Sequence, residues 1–221
     1  MTFRELINEV LIRLREDTIA TDWSGNINDS STVTDYQKVI GSLINDAKRN
    51  IENYHDWLAL RETVTVSTAS GTKNYNLNSG QQFRVLDVIN RDTGVSIHQV
   101  SREYMNTLAY PSEASGDPAH YAFNGITSGN LKVDFNPIPN SVQTIAFDIV
   151  KPQTELKTAS TEMLIPAQPV IIAAWARAIS ERGEDGGTQA SIVSQEAREA
   201  INQAIALDRG NVQYETDWYV E

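Results

Sequence analysis

Residues 54–66 run Tyr54-His55-Asp56-Trp57-Leu58-Ala59-Leu60-Arg61-Glu62-Thr63-Val64-Thr65-Val66, and within them the spacing of apolar residues changes from a helical period to a strand period. Upstream, Tyr36, Val39, Ile40, Leu43, Ile44, Ala47, Ile51, Tyr54 and Leu58 share one stripe, which predicts a helix from about Val33 to about Leu58. Downstream, Thr63-Val64-Thr65-Val66 alternates, Ser67 to Thr72 is turn chemistry, and Tyr75 and Leu77 resume the alternation. A hairpin therefore follows the helix directly.

Working outward, Phe3, Leu6, Ile7, Val10, Leu11 and Leu14 lie on one helical face, and Thr2 with Glu5 forms a capping box at its start. Thr21 to Ser31 is a long loop rich in side chains that bond their own backbone. Beyond the first hairpin, Phe83–Ile89 and Val95–Val100 flank a turn at Asn90 to Gly94. Ser101 suits the cap of a short helix ending before Pro111. Tyr121–Phe123, a turn at Asn124-Gly125, Leu131–Phe135 and Ile145–Val150 complete a meander of six or seven strands, with Pro137 and Pro139 breaking continuity. Helical signals return after Pro166 with Val170, Ile171, Ala174, Trp175, Ala178 and Ile179, and again from about Thr188 to Leu207. Gly183, Gly186 and Gly187 turn the chain between these two helices.

This order predicts an α+β fold. The N- and C-terminal helix pairs form a four-helix bundle, because each apolar stripe needs a partner, and an antiparallel β-meander, a small barrel or sandwich, is inserted as one excursion. The expected parts are residues 1–62 (N-terminal helices), 63–150 (β domain), 151–209 (C-terminal helices) and 210–221 (tail).

The chain of 221 residues carries 18 Lys plus Arg against 29 Asp plus Glu, a net charge of −11. That sign argues against a protein that grips nucleic acid or an anionic membrane, both of which need a basic face. Residues 181–221 hold 9 acids and 3 bases, so −6 of the charge falls on the end of the penultimate helix, the connector, the last helix and the tail. There is no cysteine, hence no disulfide, thiolate metal site or thiol nucleophile. No apolar run approaches the ~20 residues of a membrane-spanning helix. Met1–Ile7 mixes Arg4 and Glu5 with apolar residues, unlike a signal peptide, so the expectation is a soluble protein made in a cytoplasm.

Few side chains carry a chemical signature. His55, His98 and His120 have no metal-ligand spacing, and His55 reads as a solvated histidine at a helix C-terminus. Glu181, Glu184 and Asp185 are dense enough for acid–base or cation chemistry but sit in a glycine-rich connector, where charge is ordinary. No nucleophile elbow or phosphate-binding loop occurs. The expectation is no catalytic residue, no cofactor and no metal. The tail differs: Tyr214, Trp218 and Tyr219 are three large aromatics in twelve residues, with no helical stripe. Such residues anchor interfaces, so the tail either folds back on its own domain or inserts into a neighbouring subunit or another protein. Asp22-Trp23 raises the same question.

Residues Ile44 to Val66, above all Asp56-Trp57-Leu58-Ala59-Leu60-Arg61, with Gly71-Thr72-Lys73-Asn74-Tyr75, Ala178 to Gly187 and Ala204 to Asp208, resemble the head-to-tail adaptor (neck) proteins of tailed bacteriophages, including those called tail tubular protein A-like. The resemblance implies a non-enzymatic virion protein, synthesised in the host bacterial cytoplasm. It would form a homo-oligomeric ring, usually a dodecamer, under the portal protein, extend the DNA channel and join a downstream tail or neck protein. DNA would pass through without specific binding, and no membrane is involved. The resemblance makes Tyr214, Trp218, Tyr219 and Val220 the portal or partner contacts, and Glu196, Glu199 and Asp208 acidic residues facing the channel or the portal. Other neck roles (stopper, tail-completion or tail-tube protein) remain open, as does a glycan-binding tail component using Tyr121, Phe123 or Phe135 as a stacking platform.

Overall fold

The computed structural model describes residues 1–77, 80, 82–110, 112–183 and 187–210. The chain is α+β, with helices α1 (Phe3–Arg13), α2 (Asp35–Glu52), α3 (Arg102–Leu108), α4 (Ala167–Arg182) and α5 (Thr188–Gly210). Its described residues divide into two compact units: Met1–Leu60 with those from Gln153 to Gly210, and Arg61–Pro152.

In the helical unit α1 begins with the expected capping box, in which the Glu5 carboxylate accepts from the Thr2 N–H at 2.9 Å. The next two helix N–H groups, of Phe3 and Arg4, donate to the carbonyls of Thr161 and Ala159 at 2.8 and 3.1 Å. Donors that a helix cannot satisfy internally are thus met by a distant segment. A second capping box, Thr34 with Gln37, starts α2. That helix ends at Glu52, not near Leu58 as its stripe suggested. The Trp57 indole folds back and donates to the Ile51 carbonyl at 3.0 Å, replacing a further helical turn, while Tyr54 is 67% exposed. Helix α4 packs against α1, α2 and α5. Its buried residues include Ile172 and Ala176 beside the expected stripe, as befits a helix covered on several sides.

Between Gln153 and Ile165 the backbone is mostly irregular and lies along α2. Asn45 holds Leu156 by a two-way pair of hydrogen bonds, accepting from its N–H at 2.9 Å and donating to its carbonyl at 3.0 Å. Asn8 grips Ile19 in the same way. Lys48 and Glu52, one turn apart and both buried, form an ion pair at 3.1 Å; Lys48 donates to the Gln153 carbonyl at 2.7 Å and Glu52 accepts from the Gln153 N–H at 3.2 Å. Burial pushes the Lys48 ammonium below, and the Glu52 carboxyl above, their usual ranges. The loop before α2 is packed down: Trp23, only 5% exposed, lies edge-on to Phe3 and donates to the Lys157 carbonyl at 2.9 Å. Trp23 is therefore core, not a candidate interface.

The β unit contains β1 (Arg61–Ser67), β2 (Asn74–Leu77), β3 (Arg84–Asn90), β4 (Val95–Ser96), β5 (His98–Gln99), β6 (Ser115–Gly116), β7 (His120–Thr127), β8 (Asn130–Asn136), β9 (Ile138–Pro139) and β10 (Thr144–Val150). The expected meander is corrected: the strand orders are β1-β10-β3-β4, β2-β8-β7-β5 and β6-β9. Strand β1 does not pair with β2. It pairs antiparallel with β10, where Val64 meets Phe147 and Val66 meets Ile145. β5–β7 and β6–β9 are parallel. Two hairpins hold: β3–β4 closes at Asn90 to Val95, and β7–β8 closes one turn later than expected, at Ser128-Gly129, both with positive φ. Asn124-Gly125 is a bulge, with Gly125 at φ 73°. The bulge brings Asn124 to the buried Asp134 carboxylate, 2.9 Å away, which also receives Asn74 and Arg102. Val66, Leu77, Val88, Tyr121, Val133, Phe135, Ile145, Phe147 and Ile149 share the core of this unit.

Candidate docking surface of the helical unit

Helix α5 buries Ala190, Val193, Ala197, Ile201 and Ala204 and packs against α4. Small residues on this seam let the two helices approach closely, and the opposite face carries Glu196 and Glu199, both exposed. These two remain available to a channel or a partner. Asp208 does not sit with them. Its Oδ2 accepts from His55 Nε2 at 3.0 Å and from the Leu58 N–H at 3.2 Å, with both side chains mostly buried. An ionised carboxylate only accepts, so the imidazole donates. The His55 ring in turn stands edge-on to Trp57, centroids 5.1 Å apart. His55 is thus a packed, hydrogen-bonded residue and not a solvated helix-end histidine, and Asp208 ties the end of α5 to the turn after α2.

Two concavities lie at opposite ends of α5. Near its C-terminal end Pro166, Pro169, Ala200, Ala204 and Leu207 line a groove of about 300 Å³. At its N-terminal end a pocket of about 370 Å³ is lined by Arg13, Arg15, Trp175, Ile179, Arg182 and Gln189. Arg13 lies over the Trp175 ring, 5.6 Å from its centroid. Arg182 lies over Tyr36 at 4.9 Å, donates to its hydroxyl at 2.8 Å and pairs with Glu16. Arg15 has φ 59°. The Arg15 N–H donates to Ile12 and the Glu16 N–H to Leu11, at 3.0 and 2.9 Å. These bonds make the Schellman motif that ends a helix, with arginine in the left-handed position where glycine is usual. Sequence reasoning missed this pocket because its arginines lie far apart in the chain. The readable signal was a helix stop with no glycine after Leu14.

The SU10 adaptor protein family matches residues 1–217. The chain belongs to that family. It is a family of phage head-to-tail adaptors, structural proteins of the neck. No curated protein matches the chain. The match to the adaptor family takes in Tyr214, Glu196, Glu199 and Asp208 but stops before Trp218, Tyr219 and Val220. All four tail candidates, Tyr214, Trp218, Tyr219 and Val220, lie outside the described residues, as do Glu184 and Asp185 of the connector.

In this adaptor the three aromatics named as a sugar-stacking platform serve as core of the β unit instead. Tyr121 and Phe135 are buried and Phe123 packs against the same core; burial raises the Tyr121 hydroxyl to about 12. The parallel β5–β7 ladder sets His98 beside His120, which sequence spacing did not reveal. Among the described residues no group of three or more His, Asp or Glu is placed to hold a metal ion, and no helix is long and apolar enough to cross a membrane.

Proposed function

We propose that this chain is a ring-forming adaptor that sits under the portal of a tailed phage, extends the DNA channel and receives the tail. The observation that carries this reading is the adaptor-family match over residues 1–217. The helical unit, with α4 covered by α1, α2 and α5, serves as the bundle from which copies pack around the ring. A closed ring needs two different surfaces on each copy, one received by the other on the next. The tail from residue 211, rich in aromatics and acids, is the docking element, with Tyr214, Trp218, Tyr219 and Val220 as its contact residues. The exposed Glu196 and Glu199 suit a wall past which DNA slides, since a basic lining would hold it. The partners are the portal protein, neighbouring copies and the next neck or tail protein. The test is electron microscopy of particles assembled with and without the gene for this chain. DNA-filled heads lacking tails, restored by the full-length chain with density for it between portal and tail, are expected; normally tailed particles in its absence refute the reading.

A further inference from the structure

Resting on the ring reading above, we propose that the arginine pocket at the start of α5 receives residues 211–221 of a neighbouring copy. The chain carries −11 overall, yet this pocket gathers three arginines around an indole. Arg182 is committed to Glu16 and Tyr36, whereas neither Arg13 nor Arg15 has a carboxylate within ion-pair distance among the described residues. Arg13 and Arg182 lie in the last turns of their helices, where a cation is ordinary. Arg15 has no such reason: it occupies a left-handed position that glycine would fill more easily, and it lines the pocket.

The tail supplies the matching chemistry. Glu215, Asp217 and Glu221 offer carboxylates for the guanidinium forks, and Tyr214, Trp218 and Tyr219 offer rings for Arg13 and Trp175. Chain length favours the tail of another copy. From Gln189, which lines the pocket, to Gly210 the helix rises about 32 Å at 1.5 Å per residue. Trp218 follows Gly210 by eight residues, which reach about 29 Å at most when fully extended. Glu215 and Asp217 reach less far. A copy's own Tyr214, Glu215, Asp217 and Trp218 therefore fall short of the Gln189 end of its own pocket, and only Tyr219 and Glu221 come within reach, at full extension of about 32 and 40 Å, while the tail of the next copy faces no such limit. Receptor and ligand at opposite ends of α5 make a head-to-tail contact, the kind that propagates around a ring.

The test is fluorescence anisotropy of a labelled peptide of residues 210–221 titrated with the full-length chain. Saturable binding is expected, weakened at least tenfold by Arg13→Ala, by Arg15→Gly and by a peptide carrying Glu215→Gln with Asp217→Asn, and weakened by high salt. Arg15→Gly keeps the helix cap, so circular dichroism should show an intact fold alongside the lost binding. Absence of binding, or binding indifferent to these changes, overturns the proposal. So does a peptide that binds isolated portal protein and not this chain, an outcome that leaves the adaptor reading standing. Failure of the adaptor reading itself would appear only in the particle images.

Discussion

Replacing Asp208 by alanine separates a structural acid from the surface acids beside it. The substitution strips the acceptor from the His55 imidazole and from the Leu58 N–H, both held at 3.0–3.2 Å in a mostly buried site. Each buried donor left without a partner costs about 1–3 kcal/mol. Exposure of 12% and 17% lets water recover part of this, so a net loss of about 2 kcal/mol is expected. With a urea slope of roughly 2 kcal/mol/M, the midpoint should fall by about 1 M. Tryptophan fluorescence is the natural readout, because Trp23, Trp57, Trp175 and Trp218 all lie outside Arg61–Pro152 and Trp57 touches His55. Glu196→Gln with Glu199→Gln should stay within about 0.5 kcal/mol of the parent. A midpoint for Asp208→Ala within about 0.2 M of the parent, or an equal fall in the Glu196/Glu199 variant, refutes the reasoning.

Lys48→Met should destabilise the helical unit by about 3–5 kcal/mol at pH 8, because Glu52 is left charged, buried and without its cation. Burial raises the folded-state Glu52 carboxyl above its usual range, so the folded chain holds that proton more tightly than the unfolded one. Stability of the variant should therefore recover as pH falls toward about 5; urea midpoints equal at both pH values would contradict this. Arg15→Gly should stabilise by about 0.5–1 kcal/mol, relief of left-handed strain outweighing the added chain entropy, whereas Arg15→Ala keeps the strain and should match the parent. Thermal unfolding that ranks the two in the opposite order removes the strain argument. Trp23→Phe keeps the packing against Phe3 but leaves the Lys157 carbonyl with only the Ile27 N–H, and should lose about 1 kcal/mol; an unchanged urea midpoint would show that this bond contributes nothing.

Local signals in the sequence were reliable where one short stretch contains both partners. Thr2 with Glu5, Ser101 before α3, Gly183 as the left-handed end of α4 and the turn at Asn90 to Gly94 all appear where spacing put them. Alternation also told which residues of β1 face the core. It could not tell which strand lies beside them: β1 and β10 are joined only through the whole β unit, and Val64 or Val66 would suit many partners. Asn-Gly at 124–125 carries positive φ as read, but a bulge and a turn ask the same of glycine. Asn45, Lys48 and Glu52 lie off the apolar stripe of α2, and their partners include backbone groups of residues 153–156, which no side-chain pattern announces. The docking surface was the least legible. Glu196 and Glu199 are exposed, Asp208 is spent on His55, and the arginine pocket joins chain segments some 165 residues apart.

The discontinuity of the helical unit has a consequence for how the protein is made. Helix α4, which α1, α2 and α5 all touch, is encoded after the β unit of residues 61–152. At about 5–20 residues per second, a ribosome spends some 5–20 s on those 92 residues while α1 and α2 wait with their apolar faces uncovered. Residues 153–165 emerge next, bringing the backbone groups that meet Asn45, Lys48 and the open start of α1 just before α4 arrives. The nascent chain thus passes through an interval in which its first helices depend on chaperones or on speed, and synonymous changes that slow translation of the β unit should lower the soluble yield of an unchanged protein.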